Sequence, residues 1–164
     1  MSPEDTGGAS VDTPAIRAAR DAGLDVEVRR IDRPRSLEEA AARYGIPPHR
    51  LLKTLVVRRA AGDYVLVLLP GPAQLSWPQL RAHLGVSRVS LPDAEEARAA
   101  TGYERGTITP FGAEGGWPVL ADASIRGAGT VTIGAGAHGV SLQLDADDLL
   151  DAVDAEVVPL TDPA

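Results

Sequence analysis

Residues 51–69 read LLKTLVVRRAAGDYVLVLL, and this stretch decides the fold. Two runs rich in leucine and β-branched residues, 51–59 and 64–69, are separated by the four residues AAGD. Such a pattern predicts a β-hairpin. The second run carries no charge, which predicts a strand that is buried on both faces. The rest of the chain is therefore expected to be arranged around this hairpin.

Helical and extended patterns are intermixed on both sides of the hairpin. Helices are expected to begin near Pro14, Ser36, Ser76, Asp93 and Asp147, where capping residues, an early proline or an acidic first turn occur. This mixture predicts a mixed α/β fold: a single domain with a curved, barrel-like, mostly antiparallel or mixed sheet surrounded by helices. Further strands are predicted at 26–31, 88–91, 119–121, 130–134, 140–144 and 157–160.

Length and composition narrow the class of protein. The 164 residues suit one domain, with a flexible N-terminal tail predicted over 1–11 and the folded domain over 12–160. The chain has no cysteine, and its three histidines share no ligand spacing, so neither a disulfide, a metal site nor a cofactor is expected. No apolar run reaches the length of a membrane span, and no signal pattern begins the sequence, which predicts a cytoplasmic protein.

The basic residues are unevenly placed. The net charge of −7 argues against a general nucleic-acid coat protein, yet nine basic residues lie between 29 and 59. That segment suits a small anionic ligand or the end of a nucleic acid, and a solvated arginine-rich surface is the alternative. Among 15 arginines the chain has one lysine, Lys53, on the same strand face as Leu55 and Val57. A lysine in this apolar setting is a candidate for a site that needs an amine, and an edge-strand lysine that blocks aggregation is the alternative.

The segment GYERGTITPFG, residues 102–112, is a second candidate for chemistry. Gly106 and Pro110 bracket Thr107, Ile108 and Thr109. A glycine turn with successive exposed N–H groups can bind an anion or an oxyanion. An ordinary surface loop is the alternative interpretation.

Two further segments carry candidate residues. The glycine turn GAGAHG, residues 134–139, leads into a strand instead of a helix, which disfavours a dinucleotide-binding fold. Its glycines, Gly136 among them, allow close approach of a ligand to the backbone, and His138 can contact a polar substrate group or simply be exposed. Asp122 ends an apolar strand, where an aspartate is commonly a turn cap.

Taken in order, Lys53-Thr54-Leu55, the Gly106-x-x-x-Pro110 loop, Asp122-Ala123 and the turn at 134–139 resemble the YbaK / prolyl-tRNA-synthetase-associated editing-domain family. The resemblance covers residues 12–160. It implies a compact mixed α/β domain with a curved, barrel-like sheet. It also implies a hydrolase, an aminoacyl-tRNA deacylase that acts in trans on the ester of a misacylated tRNA, such as tRNA(Pro) carrying Cys or Ala.

The resemblance also implies roles for individual residues. Lys53 and Gly106 would be catalytic. The acceptor end of aminoacyl-tRNA would be the substrate, prolyl-tRNA synthetase a partner, and neither metal nor membrane would take part. The residues implied in substrate binding are Thr54, Thr107, Ile108, Thr109, Pro110, Asp122, Gly136 and His138.

The expected chemistry is consistent with these residue types. Ester hydrolysis places negative charge on the carbonyl oxygen, which N–H groups near Gly106 can stabilise. Lys53 can hold the terminal phosphate or the carbonyl, while a water or a substrate group attacks. A non-catalytic module that binds an aminoacyl or nucleotide end is the alternative. An editing enzyme requires Lys53 and the Gly106 loop to converge on one pocket.

Overall fold

A computed structural model describes residues 11–32 and 34–162, so the predicted tail lies outside the described residues except for Val11. The described residues form five α-helices and seven strands. No helix among them is long and apolar enough to cross a membrane. The helices are α1 (Pro14–Asp21), α2 (Leu37–Tyr44), α3 (Trp77–Leu84), α4 (Ala94–Thr101) and α5 (Ala146–Ala152). The strands are β1 (Glu27–Arg30), β2 (Leu52–Ala60), β3 (Asp63–Pro70), β4 (Val119–Asp122), β5 (Thr130–Ala137), β6 (Val140–Asp145) and β7 (Glu156–Val158).

The helix ends lie where the capping residues predict them. Ser36 accepts a hydrogen bond from the Glu39 N–H at 3.0 Å, and Asp93 accepts one from the Glu96 N–H at 2.8 Å. Gly45 ends α2 in the left-handed conformation, with φ of 73°. These bonds satisfy backbone groups that have no partner inside the helix.

The strand predicted at 88–91 is wrong. Only Ser90 bridges β2, at Arg58, through backbone bonds of 2.8 and 3.1 Å. Pro92 follows directly and has no N–H, and Asp93 already caps α4. The segment is therefore too short to form a ladder.

Two sheets form in place of the single curved sheet that the sequence predicts. One has the antiparallel order β1-β6-β5, and the other has the order β2-β3-β4-β7, in which β4 is parallel to both of its neighbours. Between the sheets, a single isolated bridge joins Leu51, the residue before β2, to Thr132 of β5. Neither described sheet closes on itself, so a mixed α/β domain is confirmed but its barrel-like closure is not.

The hydrophobic core lies on both faces of β3, as the hairpin sequence predicts. Val65 to Leu69 are at most 1% exposed. Leu66 and Leu68 face the larger core, which includes the apolar residues of β5, β6 and α5. Val65, Val67 and Leu69 face a second core, which includes Leu80 of α3. This double burial fixes the hairpin and therefore the position of β2.

Candidate active site

A cleft of about 390 Å³ lies where β2, the loop after α4 and the β5–β6 turn approach each other. Each of these segments contains a motif that the sequence singles out. The lining residues lie at 51–54 in and beside β2, at 105, 106 and 108 in the loop, at 134 and 137–141 around the turn, and at 31, 34, 37, 40 and 44 on the side of α2. Lys53 and the Gly106 loop thus lie on one cleft.

Lys53 is partly buried and lines this cleft. Its Nζ donates a hydrogen bond of 2.7 Å to the carbonyl oxygen of Ala73, in the loop that follows β3. Burial lowers the pKa of Lys53 from its ordinary value. Alternation along β2 places Leu55 and Val57 toward the second core, as the sequence predicts. An ammonium donates three hydrogen bonds, so two remain for a ligand.

Thr54 follows Lys53 in β2 and also lines the cleft. Its Oγ1 is buried and has no hydrogen-bond partner among the described residues. A buried hydroxyl of this kind normally finds a partner, so a ligand in the cleft has a polar group to meet here.

The Gly106 loop begins with a tight turn. The Thr107 N–H donates to the Glu104 carbonyl at 2.9 Å, and the Thr107 hydroxyl donates to the same oxygen at 2.7 Å. Gly106 takes the third position of the turn with φ of 90°, which favours glycine. The N–H groups of Gly106 and Ile108 make no hydrogen bond to any described residue, and both residues line the cleft. These two donors are therefore available to an anionic group.

The two threonines and the proline of the Gly106 loop do not line the cleft. Thr107 and Thr109 are at most 3% exposed, and neither they nor Pro110 line the cleft. Thr109 Oγ1 accepts a bond of 3.4 Å from the Phe111 N–H. The structure thus brings Gly106 and Ile108 to the site and leaves both threonines and the proline outside its lining.

His138 and Gly136 are close in sequence but occupy different environments. His138 lines the cleft, with its Nε2 3.4 Å from the Glu104 carboxylate. Gly136 does not line it: a Cβ at this position would approach Tyr103 Cε1 to 2.7 Å. Its φ of 87° and this close approach explain the glycine by packing.

Asp122 is buried and lies outside the cleft lining. One carboxylate oxygen accepts from the Leu160 N–H at 2.8 Å and from Thr161 Oγ1 at 3.3 Å. The other accepts from the N–H of Ser124 at 3.1 Å and from its hydroxyl. Burial pushes the pKa of Asp122 upward, but these bonds outweigh it and hold the pKa below its ordinary value. The geometry ties β4 to the segment after β7, and gives the substrate-binding prediction for Asp122 no support.

Three polar residues of the lining were not singled out by sequence reasoning. Arg105 is exposed, forms no ion pair with any described residue, and could have been inferred from its neighbour Gly106. Tyr44 lies on the buried face of α2 with Ala40 and Ala41, where an apolar pattern indicates packing, and Ser141 gives no sequence signal inside a strand. Their hydroxyl oxygens are 2.7 Å apart.

The basic side chains that line the cleft are Lys53, Arg105 and His138, and the described lining contains no aspartate or glutamate. Two arginines of the basic segment lie elsewhere and are paired: Arg58 with Glu96 and Arg59 with Asp63, each at 2.9 Å. Across residues 11–32 and 34–162, no three His, Asp or Glu side chains form a potential metal site. The cleft is therefore suited to an anionic ligand.

Comparison with known sequences identifies the family. A family model described as an aminoacyl-tRNA editing domain matches residues 34–152. The chain belongs to this editing-domain family. The matched range contains β2, the Gly106 loop and the β5–β6 turn, so the three segments that meet at the cleft lie within it.

Individual relatives support this assignment. A proline–tRNA ligase of Pelobacter propionicus is 30% identical over 154 residues, which are 92% of this chain and 27% of the ligase. The chain thus spans about a quarter of that ligase. A candidate Cys-tRNA(Pro)/Cys-tRNA(Cys) deacylase of Enterococcus faecalis is 25% identical over 126 residues, which are 77% of each protein.

Solved structures share the fold. A candidate trans-editing enzyme for prolyl tRNA synthetase superposes with a TM-score of 0.81 at 24% identity, over 94% of this chain and 100% of that one. A hypothetical protein, APE2540, superposes with a TM-score of 0.84 at 24% identity, over 92% of this chain and all of the other.

Proposed function

We propose that this editing-domain protein is an aminoacyl-tRNA deacylase that hydrolyses the ester of a misacylated tRNA in trans. The proposed substrate is tRNA(Pro) carrying a small non-cognate amino acid such as Cys or Ala, with prolyl-tRNA synthetase as a partner in the cytoplasm. The observation that carries the proposal is the convergence of Lys53 and the Gly106 loop on one cleft. The names of the ligase and deacylase relatives support the choice of tRNA(Pro).

The charges of the cleft favour a ligand that contains phosphate. On a chain of net charge −7, the cationic lining creates a local field that attracts an anion. The 3′-terminal nucleotide of tRNA offers a phosphate next to the aminoacyl ester. In the proposed complex, Lys53 keeps its bond to Ala73 and donates its remaining hydrogen bonds to that phosphate.

The reaction itself needs an oxyanion site and a nucleophile. Water attacks the ester carbonyl carbon, the carbonyl oxygen becomes negative, and the unpaired N–H groups of Gly106 and Ile108 stabilise it. The C–O bond to the ribose then breaks, and the ribose oxygen takes a proton. None of these steps requires a covalent bond between the substrate and a protein side chain.

A deacylation screen tests the proposal. The full chain is mixed with tRNA(Pro) charged with Ala, Cys, Ser or Pro, and loss of each ester is compared with its spontaneous hydrolysis. We expect accelerated loss of a small non-cognate amino acid and slower loss of proline. Binding of the tRNA without acceleration of any ester would instead favour the non-catalytic module.

A further inference from the structure

One wall of the cleft is apolar apart from a single pair of hydroxyl groups. Ile31, Leu37, Ala40 and Leu51 line this wall and pack in one hydrophobic cluster with Tyr44. The Tyr44 hydroxyl is 2.7 Å from Ser141 Oγ, and both residues are 6% exposed. The pair is therefore the polar feature of an otherwise apolar wall, and the described lining of the cleft contains no carboxylate.

The Tyr44 and Ser141 hydroxyl groups together have one spare proton, which the hydrogen bond between them does not use. Two hydroxyl groups carry two protons, and the bond between them uses one. Neither hydroxyl has a second acceptor among the described residues. Burial raises the pKa of Tyr44, against smaller lowering effects of Ser141 and Arg29, so the phenol keeps its proton at neutral pH. A buried O–H group without an acceptor is unfavourable, and a ligand atom that accepts this proton is correspondingly favoured.

We propose, on the basis of the deacylase function above, that Tyr44 and Ser141 determine specificity and select a small aminoacyl group that bears a hydroxyl, with serine the simplest case. The serine oxygen accepts the spare proton, whereas the alanine methyl group offers no acceptor. The cysteine sulfur is a weak acceptor and ranks between them. Phosphate recognition stays with Lys53 and Arg105, while the apolar wall holds the amino-acid side chain.

The surrounding structure holds the pair in place. Ser141 lies in β6, where it pairs with Gly134 on one side and Arg29 on the other. The Arg29 guanidinium lies 5.6 Å from the centroid of the Tyr44 ring, at a distance that favours a cation–π contact. Both hydroxyls are thus fixed by regular secondary structure, as a site that discriminates by one hydrogen bond requires.

Deacylation of Ser-tRNA(Pro), Cys-tRNA(Pro) and Ala-tRNA(Pro) by the parent and by the double variant Tyr44→Phe/Ser141→Ala tests this inference. Both substitutions keep the apolar volume of the wall, and the double variant is needed because either hydroxyl alone can still donate. We expect the parent to favour serine over alanine by roughly 3- to 10-fold in kcat/KM. The double variant should lose this preference through a slower serine reaction, with the alanine rate retained. The retained alanine rate serves as the folding control.

Other results would overturn the inference. If the parent shows no preference for serine, or if the double variant slows all three esters equally, the pair does not select the side chain, although the deacylase function stands. Unhydrolysable seryl- and alanyl-amide analogues of the terminal adenosine give an independent readout by binding. If the protein hydrolyses no ester but binds the seryl analogue more tightly in a Tyr44- and Ser141-dependent way, the deacylase proposal fails and the specificity assignment stands. Equal binding of both analogues would contradict the assignment of specificity to Tyr44 and Ser141.

Discussion

Substitution of Lys53 by methionine separates its role in catalysis from its role in stability. Methionine keeps the apolar stem and removes the charge. The variant loses the charged hydrogen bond to Ala73, of length 2.7 Å, which is worth about 1.5–3 kcal/mol. It also loses an unfavourable desolvation, because burial is what lowers the pKa of Lys53. These terms oppose each other, so we expect the free energy of unfolding to change by only about 1 kcal/mol.

Activity should respond far more strongly than stability. In the proposed complex Lys53 donates two charged hydrogen bonds to the terminal phosphate, so its loss should lower kcat/KM on the order of 10²- to 10³-fold. Arg98→Met is the matched control, because it removes one positive charge from an exposed position on α4. Ester release and thermal unfolding are measured on the same preparations. Near-parental turnover in a folded Lys53→Met protein would refute the catalytic assignment.

The pH dependence of the free energy of unfolding provides a second test of the argument that burial destabilises the charged form of Lys53. A lysine whose folded-state pKa is lowered destabilises the protein while it is protonated. As the pH rises from that lowered pKa toward the ordinary value of 10.5, the unfolded state holds its proton longer and the parent gains stability relative to Lys53→Met. At pH values below the lowered pKa, the difference in free energy of unfolding between the parent and Lys53→Met should not change with pH. A parent that loses stability relative to the variant over this alkaline range would contradict the burial argument.

Three further substitutions test other parts of the site. Gly106→Ala should slow single-turnover deacylation by about 10-fold, because a φ of 90° costs an alanine about 1–2 kcal/mol. The added Cβ would meet only His138, at 3.6 Å, so the backbone conformation and not a steric clash is what changes. An unchanged rate would show that the turn lies away from the reacting ester. Arg105→Ala should raise KM and reduce the slope of log KM against log salt by about 0.7–0.9, whereas Arg59→Ala, which removes the partner of Asp63, should change neither. Asp122→Asn should lower the free energy of unfolding by about 2–4 kcal/mol with turnover retained, and lost turnover in a stable variant would restore its substrate role.

The local features of the fold could be predicted because their causes are local. Ser36 caps a helix through the N–H three residues later, and Gly45 ends that helix by its own positive φ. The burial of β3 follows from its uncharged sequence, since no other placement removes so much apolar surface from water. In each case the deciding contact lies within one element or one turn.

The roles of individual polar residues could not be predicted in the same way. An aspartate that contacts a substrate and an aspartate that accepts a hydrogen bond from a backbone N–H give the same sequence pattern at the end of a strand. The choice for Asp122 depends on the Leu160 N–H, which is 38 positions away. Gly136 is a similar case, because the neighbour that requires a glycine there is Tyr103, on a separate segment. Contacts between distant segments decide such roles, and one sequence does not specify them.

The absence of barrel-like closure and the presence of the cleft have the same physical cause. Strands that pair lie about 4.8 Å apart, which leaves no space for a ligand between them. Continuous pairing of β2 with β5 would have joined the two described sheets and filled the space beside Lys53. Instead a single isolated bridge joins Leu51, just before β2, to Thr132 of β5, and the pairing of β5 with β6 departs from regular register between Gly134 and Ala137. The positive φ of Gly136 lies within this irregularity and turns the strand away from a regular ladder. The same glycines that suggested a ligand-binding turn in the sequence thus interrupt the regular β5–β6 ladder beside the cleft that Lys53 and Gly134 line.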